Sequence, residues 1–533
     1  MEKKYRESWE FPKGIDNFED LITSGCVYVD KTDLVYQMIR DRFVFLSRPR
    51  RFGKSLLCST LQAYFSGKKE LFKGLAMERL ETKWDVHPVF RFDMSSLKGK
   101  TPDQMRNTLL LQLQREARAN KLEYKEVGTP GDVFQYLVEM AYYKENKGVV
   151  ILIDEYDSPL LHNSDNEQLE QVRAVLQEFY ITCKNCSQYL RHVFITGITR
   201  FSQVSIFSEL NNLNNISMSP RYATILGITE EELHTVFDDD VEHLALSSDK
   251  SKEEMYDILK WKYNGFHFAE NSPGVYNPYS LLLVLSELKL ESYWFGSATP
   301  SALFKLLKDF QPDILKLNKT ERVKSVAFDM SVHEMKTALP LMYQSGYLTI
   351  KDFESETQTY VLGIPNDEVR VGLYENFMHE LTPYDNDQRG NMVYALNCAL
   401  RKGDVDAAMN ALKSFMSGVP YLYNGNKKIL EDLEKLEALH ARDLYILFNG
   451  MGLNLQTEVT IATGRVDLVV WVPDTIYIME FKMRGTAKQA LEQIDQNHYA
   501  APYMADPRKK IKIGILFNPK EHTIKEWETE TIK

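Results

Sequence analysis

Val149-Val150-Ile151-Leu152-Ile153 is an unbroken aliphatic run that ends in Asp154-Glu155. A strand with one wet face alternates; a run without alternation is covered on both faces, as in a parallel sheet wound by helices. Phe43-Val44-Phe45-Leu46 and His192-Val193-Phe194-Ile195-Thr196 also read as strands, and Val89-Phe90-Arg91-Phe92-Asp93 alternates like one. Thr101-Pro102 opens a helix expected to reach about Asn120, with Pro in its first turn. Strand and helix thus alternate as far as Thr196, which predicts an α/β fold with a parallel sheet.

The strand at Phe43 runs into Ser47-Arg48-Pro49-Arg50-Arg51-Phe52, after which Gly53-Lys54-Ser55 opens a helix with Leu57, Leu61 and Phe65 at helical spacing. This is the layout of a phosphate-binding loop. A helix start offers unpaired N–H groups and partial positive charge, the Lys reaches the terminal phosphates, and the Ser hydroxyl holds Mg²⁺. Arg50, Arg51, Phe52, Gly53, Lys54 and Ser55 are therefore candidate ATP contacts. The strict pattern fails at one position, where Arg48 stands in place of Gly. Asp154 is the candidate partner of Ser55 on Mg²⁺, and Glu155 the candidate for orienting the water that attacks the γ-phosphate. Ligands sit at the carboxyl ends of such strands, so Thr196, Thr199 and Arg200 point towards the nucleotide. Arg200 reads equally as a γ-phosphate sensor and as a structural Arg paired with a carboxylate. The polar stretch from Phe207 to Asn215 reads as a loop that serves as a switch or lid.

At 533 residues the chain is too long for one core and is expected to form about three or four domains. No apolar run approaches the length needed to span a bilayer, and the first residues carry no apolar leader, so a cytoplasmic protein with no membrane partner is expected. Five Cys are too few and scattered for a disulfide framework, and Cys183 and Cys186 read as plain helix residues. The net charge of −11 lies entirely before residue 391, because residues 391–533 carry 18 Lys and Arg against 18 Asp and Glu. A local nucleic-acid groove in that last part is compatible with this balance. The cluster Arg508, Lys509, Lys510 and Lys512 is a candidate phosphate contact, weighed against a solvated turn.

A second chemistry stands near the end of the chain. Gly464-Arg465-Val466-Asp467 opens a strand through Val472, Pro473-Asp474 turns the chain, and Ile476 to Lys482 returns. Glu480 and Lys482 are two apart and share a face with Ile476 and Ile478, where unpaired charge is costly to bury. Two carboxylates holding Mg²⁺ beside an ammonium suit phosphodiester cleavage. Asp467 and Glu480 are the candidate metal ligands and Lys482 the candidate stabiliser of charge. Glu437 lies in the stripe Leu433, Glu437, His440, Leu444, Leu447 of a helix expected over Ile429 to Phe448, and is a candidate third carboxylate. A helix follows with Leu491, Ile494 and Gln493, then Tyr499.

Two resemblances extend these readings. Arg48 to Ser55, Tyr28-Val29-Asp30-Lys31-Thr32, Ile153-Asp154-Glu155-Tyr156-Asp157, the Leu210-Asn211-Asn212-Leu213 segment and Trp261-Lys262-Tyr263-Asn264-Gly265-Phe266 together resemble the bacterial AAA-ATPase-like family, over roughly residues 10 to 370. That family tolerates Arg at the first loop position. The resemblance implies a nucleotide-controlled switch: a P-loop NTPase core with a helical lid and a winged-helix-like module. Helices are expected to continue to about Tyr343, followed by a two-stranded wing, and Tyr384 to Gly390 is the expected linker. Asp467, Glu480 and Lys482, with Glu437, Gln493 and Tyr499, resemble the PD-(D/E)XK nuclease superfamily domain found behind this ATPase family. The expected domains are residues 1–245, a P-loop AAA-ATPase-like domain; 246–384, the helical lid and winged-helix-like module; and 391–533, an α/β PD-(D/E)XK nuclease-like domain. The expected function is an ATP-hydrolysing switch coupled to Mg²⁺-dependent cleavage of nucleic acid, DNA in the first instance. The resemblance implies a bacterial mobile-element or defence setting and leaves self-association open. The alternatives are a nucleotide-gated module that binds without cutting, and a nuclease whose ATP is only structural.

Overall fold

The computed structural model describes residues 10–161, 166–200, 213–295, 314, 317, 321–329, 337–382, 384–419, 433–461, 464–519, 521 and 523–532. The chain divides into two compact units, Met1–Asn366 and Asp367–Lys533. Among the described residues no helix is long and apolar enough to cross a membrane.

The first unit is built on β1 (Phe43–Ser47), β2 (Val89–Asp93), β3 (Val149–Asp154), β4 (Leu190–Gly197) and β5 (Asn214–Asn215), in the spatial order β2-β3-β4-β1-β5. Every neighbouring pair is parallel. The unbroken apolar runs account for this: β1 and β3 are buried at every position, so both faces need cover. Helices Lys54–Phe65, Pro102–Ala119, Pro130–Glu145 and Asn166–Asn185 are the connections among these strands. Phe92, Phe134 and Phe179 meet ring to ring beneath them at 4.8–5.1 Å. Each buried Phe contributes about 1.5–3 kcal/mol by leaving water. Thr101 and Thr129 start their helices with reciprocal capping boxes to Gln104 and Asp132, each followed by Pro.

β4 stands between β1 and β3, so the parallel arrangement brings the carboxyl ends of all three to one edge. That edge holds the loop after β1, the acids after β3 and the Gly197–Arg200 stretch after β4. One expectation is corrected here. Asn214–Asn215, read as loop by composition, pairs in parallel with Val44 and Phe45. A two-residue edge strand is held by its backbone and needs no apolar side chain. Residues 207–212 of the expected lid lie outside the described residues.

The short pair β6 (Ile228–Thr229) and β7 (Val275–Tyr276) is antiparallel, and helices Glu230–Val236, Asp238–Ser247, Lys252–Tyr263 and Pro278–Glu287 pack on a core of their own that includes Phe237, Leu244, Leu259 and Tyr263. Farther on, β8 (Glu321–Lys324), helix Leu339–Ser345, β9 (Thr349–Glu354) and β10 (Thr359–Gly363) follow. The expected helix and two-stranded wing are present, with a correction: β8 adds a third strand, in the order β8-β10-β9, where continuous helix was expected.

In the second unit β11 (Asn454–Ile461), β12 (Gly464–Val472), β13 (Thr475–Lys482), β14 (Lys509–Asn518) and β15 (Thr523–Ile532) lie in sequence order. Only β13 and β14 are parallel, and helix Ala487–Gln496 makes the crossover that such a pair requires. Helix Asn386–Lys402 is tied to the sheet by the Tyr477 hydroxyl, which donates to the Leu400 carbonyl at 2.6 Å. Asp385 caps that helix, so the polar segment expected as a linker is a helix start. The boundary between units falls earlier, between Asn366 and Asp367.

Candidate functional site

Gly53 takes φ +87°, a left-handed turn that only Gly adopts without strain, and Lys54 begins the helix. The Lys54 ammonium is buried and donates to the carbonyls of Arg48 at 3.0 Å and Pro49 at 2.9 Å. Burial lowers its pKa, opposed by the charges of Asp154, Glu155 and Asp157. The Ser55 hydroxyl lies near enough to Asp154 to favour its charged form, and the Asp154 carboxylate accepts from the Glu155 N–H at 2.9 Å. A loop hydroxyl resting on a strand-end carboxylate is the oxygen pair that suits Mg²⁺. Burial raises the pKa of both Asp154 and Glu155. Glu155 sits at φ +49°, a conformation costing a non-Gly residue on the order of 1 kcal/mol and concentrated at functional sites.

The remaining loop residues separate. The Arg51 guanidinium lies over the Tyr279 ring at 4.7 Å. Phe52 is buried, edge-on to Phe266 at 5.0 Å and Phe268 at 5.2 Å, so its side chain anchors the loop instead of meeting phosphate. Arg50 is half-buried near Tyr347. Arg200 is placed beside the start of the loop, donating to the Met218 sulfur and lining a small cavity with Arg48, Tyr343 and Gln344.

Sequence reasoning passed over two features. A cavity of about 110 Å³ opens beside Gly53, lined by Tyr28, Val29, Phe52, Leu56 and Ile228. Lys31 also borders it and pairs with Glu232 at 2.5 Å. Asp30 shapes the approach, accepting from the Thr32 N–H and hydroxyl and from the Ala76 N–H. The second feature is Asp157, buried and accepting from Ile198 N–H at 3.1 Å, Thr199 N–H at 2.7 Å and the Thr199 hydroxyl at 2.6 Å. It fixes the end of β4 against the acid-bearing end of β3. Asp157→Ala strands these buried donors, and the expected loss is about 1–3 kcal/mol, read as a lower denaturation midpoint with the slope unchanged.

In the second unit, Asp467 and Glu480 lie one step beyond the paired Leu468 and Met479 of β12 and β13. Asp467 accepts from the Phe481 N–H at 2.8 Å. Glu480 is 3 % exposed; one of its oxygens accepts from the Gln493 amide, and the other, Oε2, is buried with no hydrogen-bond partner. Lys482 donates to the same Gln493 and lies 3.9 Å from Glu480. Burial first, and the charge of Asp467 second, push Glu480 up to about 8. A buried, orphaned carboxylate oxygen held beside a second carboxylate is a set that fits a divalent cation. Glu437, half-buried on helix Leu433–Gly450, adds its charge to the field at Glu480. Among the described residues no three His, Cys, Asp or Glu side chains converge as a metal cluster.

Gln493 reaches the pair because its helix lies very close to the sheet. Gly514 is in register with Glu480 on β14, and a Cβ there would meet the Ala487 carbonyl and lie 2.6 Å from the Leu491 nitrogen. Tyr499 is buried in the core with Val466 and Val469. The basic cluster is spent internally: Arg508 pairs with Asp506 at 2.5 Å, Lys510 donates to the Asp506 carbonyl, and Lys512 bonds Asp495 at 2.6 Å and Glu530 at 2.7 Å. Lys510 and Lys512 are buried on these partners and are not available as phosphate contacts. Cys183 and Cys186 are buried, and burial raises both thiols.

The family model described as "Predicted AAA-ATPase" matches residues 12–207, and that of the PD-(D/E)XK nuclease superfamily matches residues 435–527. An "Uncharacterized protein in vnfD 5'region" from Azotobacter chroococcum mcd 1 is 30% identical over 547 residues, covering 98% of this chain and 99% of that protein. Among solved structures, the ORC2 protein of Aeropyrum pernix is 10% identical, with 63% of this chain and 88% of that chain covered and a TM-score of 0.28. Cdc6p from Pyrobaculum aerophilum is 10% identical, with 68% and 93% covered and a TM-score of 0.24. Scores this low add nothing to the fold read from the sheets. With a relative aligned almost end to end and both models matched in order, the chain belongs to the AAA-ATPase-like family and carries a C-terminal PD-(D/E)XK nuclease superfamily domain.

Proposed function

We propose that this protein binds and hydrolyses ATP in its first unit and cleaves phosphodiester bonds of nucleic acid, DNA in the first instance, in its second. The nucleotide state of the first governs cleavage by the second. The observation that carries the reading is Glu480 Oε2, a buried acceptor without a donor beside Asp467 and Lys482. In the first unit the triphosphate lies on the helix start at Gly53, and Lys54 exchanges the Arg48 and Pro49 carbonyls for its terminal phosphates. The base takes the apolar cavity beside Gly53, Arg50 and Arg51 meet the phosphates, Glu155 orients the attacking water, and Arg200 senses the γ-phosphate. In the second unit Lys482 stabilises the negative charge that develops on the scissile phosphate, and Gln493 holds Lys482 and Glu480 in register. Glu437 tunes the site through its charge. Mg²⁺, which Ser55 and Asp154 would hold in one site and Asp467 and Glu480 in the other, supplies charge neutralisation and a more acidic water when bound. A bacterial, cytoplasmic setting in mobile-element or defence biology belongs to the same proposal.

The test is cleavage of single- and double-stranded DNA and RNA by the purified full chain in Mg²⁺, with no nucleotide, ADP or ATP. Cleavage at rates that differ between ADP and ATP is expected, because an effector shifts an equilibrium only by its differential affinity for two states. Equal rates in all three conditions would assign ATP a structural role. No cleavage of any substrate would establish the second reading, a module that binds without cutting.

A pH dependence follows from Glu480. Its carboxyl binds a proton more tightly folded than unfolded, so metal-free stability falls as pH rises from about 4.5 to about 8. Glu480→Gln should remove that slope in thermal melts of the metal-stripped protein. A cation must displace the same proton, so Mg²⁺ affinity at this site should rise by up to about tenfold per pH unit below pH 8, measured by calorimetric titration.

A further inference from the structure

Arg48 replaces the first Gly of the general phosphate loop, yet its side chain is only 1 % exposed. Its guanidinium donates from Nη1 to the carbonyls of Ser47 at 2.9 Å and Ser217 at 2.7 Å, and from Nη2 to the carbonyl of Tyr222 at 3.0 Å. Its flat face lies over the Phe268 ring, 4.1 Å from the centroid. The charge is thus held by three carbonyls and a ring. Through its backbone, Arg48 donates to the Gly197 carbonyl at 3.2 Å and accepts from Lys54 at 3.0 Å. Phe268 meets Phe52 of the same loop edge-on, and its carbonyl faces the Tyr343 hydroxyl at 3.5 Å. The loop, the end of β4, the Ser217–Tyr222 stretch and the Phe266–Phe268 turn converge on one residue, with helix Leu339–Ser345 behind the turn.

We infer that Arg48 is a positioning residue that makes the conformation of the phosphate loop and the placement of the Phe266–Phe268 turn and helix Leu339–Ser345 interdependent, so that filling the loop is felt in the winged module. This rests on the reading of Arg48 to Ser55 as a nucleotide loop. Bound phosphate draws the Lys54 ammonium towards a stronger, charged acceptor and leaves the Arg48 carbonyl to find a new donor. Any movement of that backbone acts on a planar fork whose hydrogen bonds are directional and tolerate little displacement. Gly at this position would carry no such tie.

The experiment is hydrogen exchange of the full chain with and without Mg²⁺ and the non-hydrolysable analogue adenylyl imidodiphosphate, each variant at a concentration that saturates it by calorimetry. In the wild type, exchange in peptides covering residues 264–268 and 339–347 should change on nucleotide addition by a factor on the order of 5 to 150, the usual range of coupling between sites. Arg48→Gly should abolish that change. Arg48→Lys, which keeps the charge and loses the fork, should follow the Gly variant. Phe268→Leu, outside the loop, should reduce the change and carries the test if Arg48→Gly does not fold or saturate. Variants that exchange faster in both states while keeping the wild-type nucleotide response would show a merely structural Arg48 and overturn the inference. A wild type that binds nucleotide without responding in these peptides would overturn the inference alone; a wild type that binds none would overturn the reading of the loop as well.

Discussion

Lys482→Ala is expected to lower phosphodiester cleavage by about 10²–10³-fold, the usual effect of removing one group that stabilises transition-state charge, while ATP hydrolysis stays at the wild-type rate. The ammonium is partly exposed, bonded to Gln493 and 3.9 Å from Glu480, so it is held in place before substrate arrives. Asp467→Ala and Glu480→Ala should each lose metal binding at this site, read by calorimetric titration, whereas Glu528→Ala, at an exposed position on β15, should not. Residues that act as one unit are not additive, so Asp467→Ala with Lys482→Ala should be hardly slower than either change alone. Single variants that cut as fast as wild type across DNA and RNA would reduce the hairpin to an ion pair.

Lys54→Ala should abolish ATP binding in a calorimetric titration and leave the melting transition near its wild-type position. The ammonium is buried on two carbonyls of its own loop, and burial lowers its pKa, so its contribution to the empty fold is modest. Its contribution to a bound triphosphate is a charge-assisted contact in a water-poor site. Asp154→Ala should lose the Mg²⁺-dependent part of that affinity. Glu155→Gln should bind ATP and turn it over at least about 10²-fold more slowly, because a positioned general base contributes on that order. Hydrolysis by the Glu155 variant at the wild-type rate would assign water positioning to another residue.

Much of the architecture was legible because burial on both faces leaves a compositional trace. Val149 to Ile153 carries no polar residue since no side of β3 meets water, and the acids appear where the strand leaves the core. Glu480 stood out in the sequence for the opposite reason: a charge at a buried position of β13 is expensive enough to need a use. Arg48 was not legible. Its partners are backbone carbonyls at Ser217 and Tyr222, and a carbonyl looks the same in every residue. Asp157 was hidden likewise, since its donors include the N–H groups of Ile198 and Thr199. Tyr384 to Gly390 was read as a linker because a polar linker and a polar helix cap share letters, and Asp385 is the cap. The strand Asn214–Asn215 escaped notice since its pairing is carried by backbone alone.

The position most easily overlooked in the second unit has no side chain. Gly514 lies beside Glu480 across the parallel pair, and the absence of its Cβ lets helix Ala487–Gln496 settle onto the sheet. A scan that replaces charged residues one at a time would step over it. A single methyl there would push the helix outwards and carry Gln493 away from both of its partners, without altering Asp467, Glu480 or Lys482 themselves. Under the proposed cleavage, inheritance of the chemistry through a lineage would depend on a vacancy as strictly as on the acids, and a descendant with Asp467, Glu480, Lys482 and Gln493 intact but a bulkier residue at 514 would keep the signature and lose the tool.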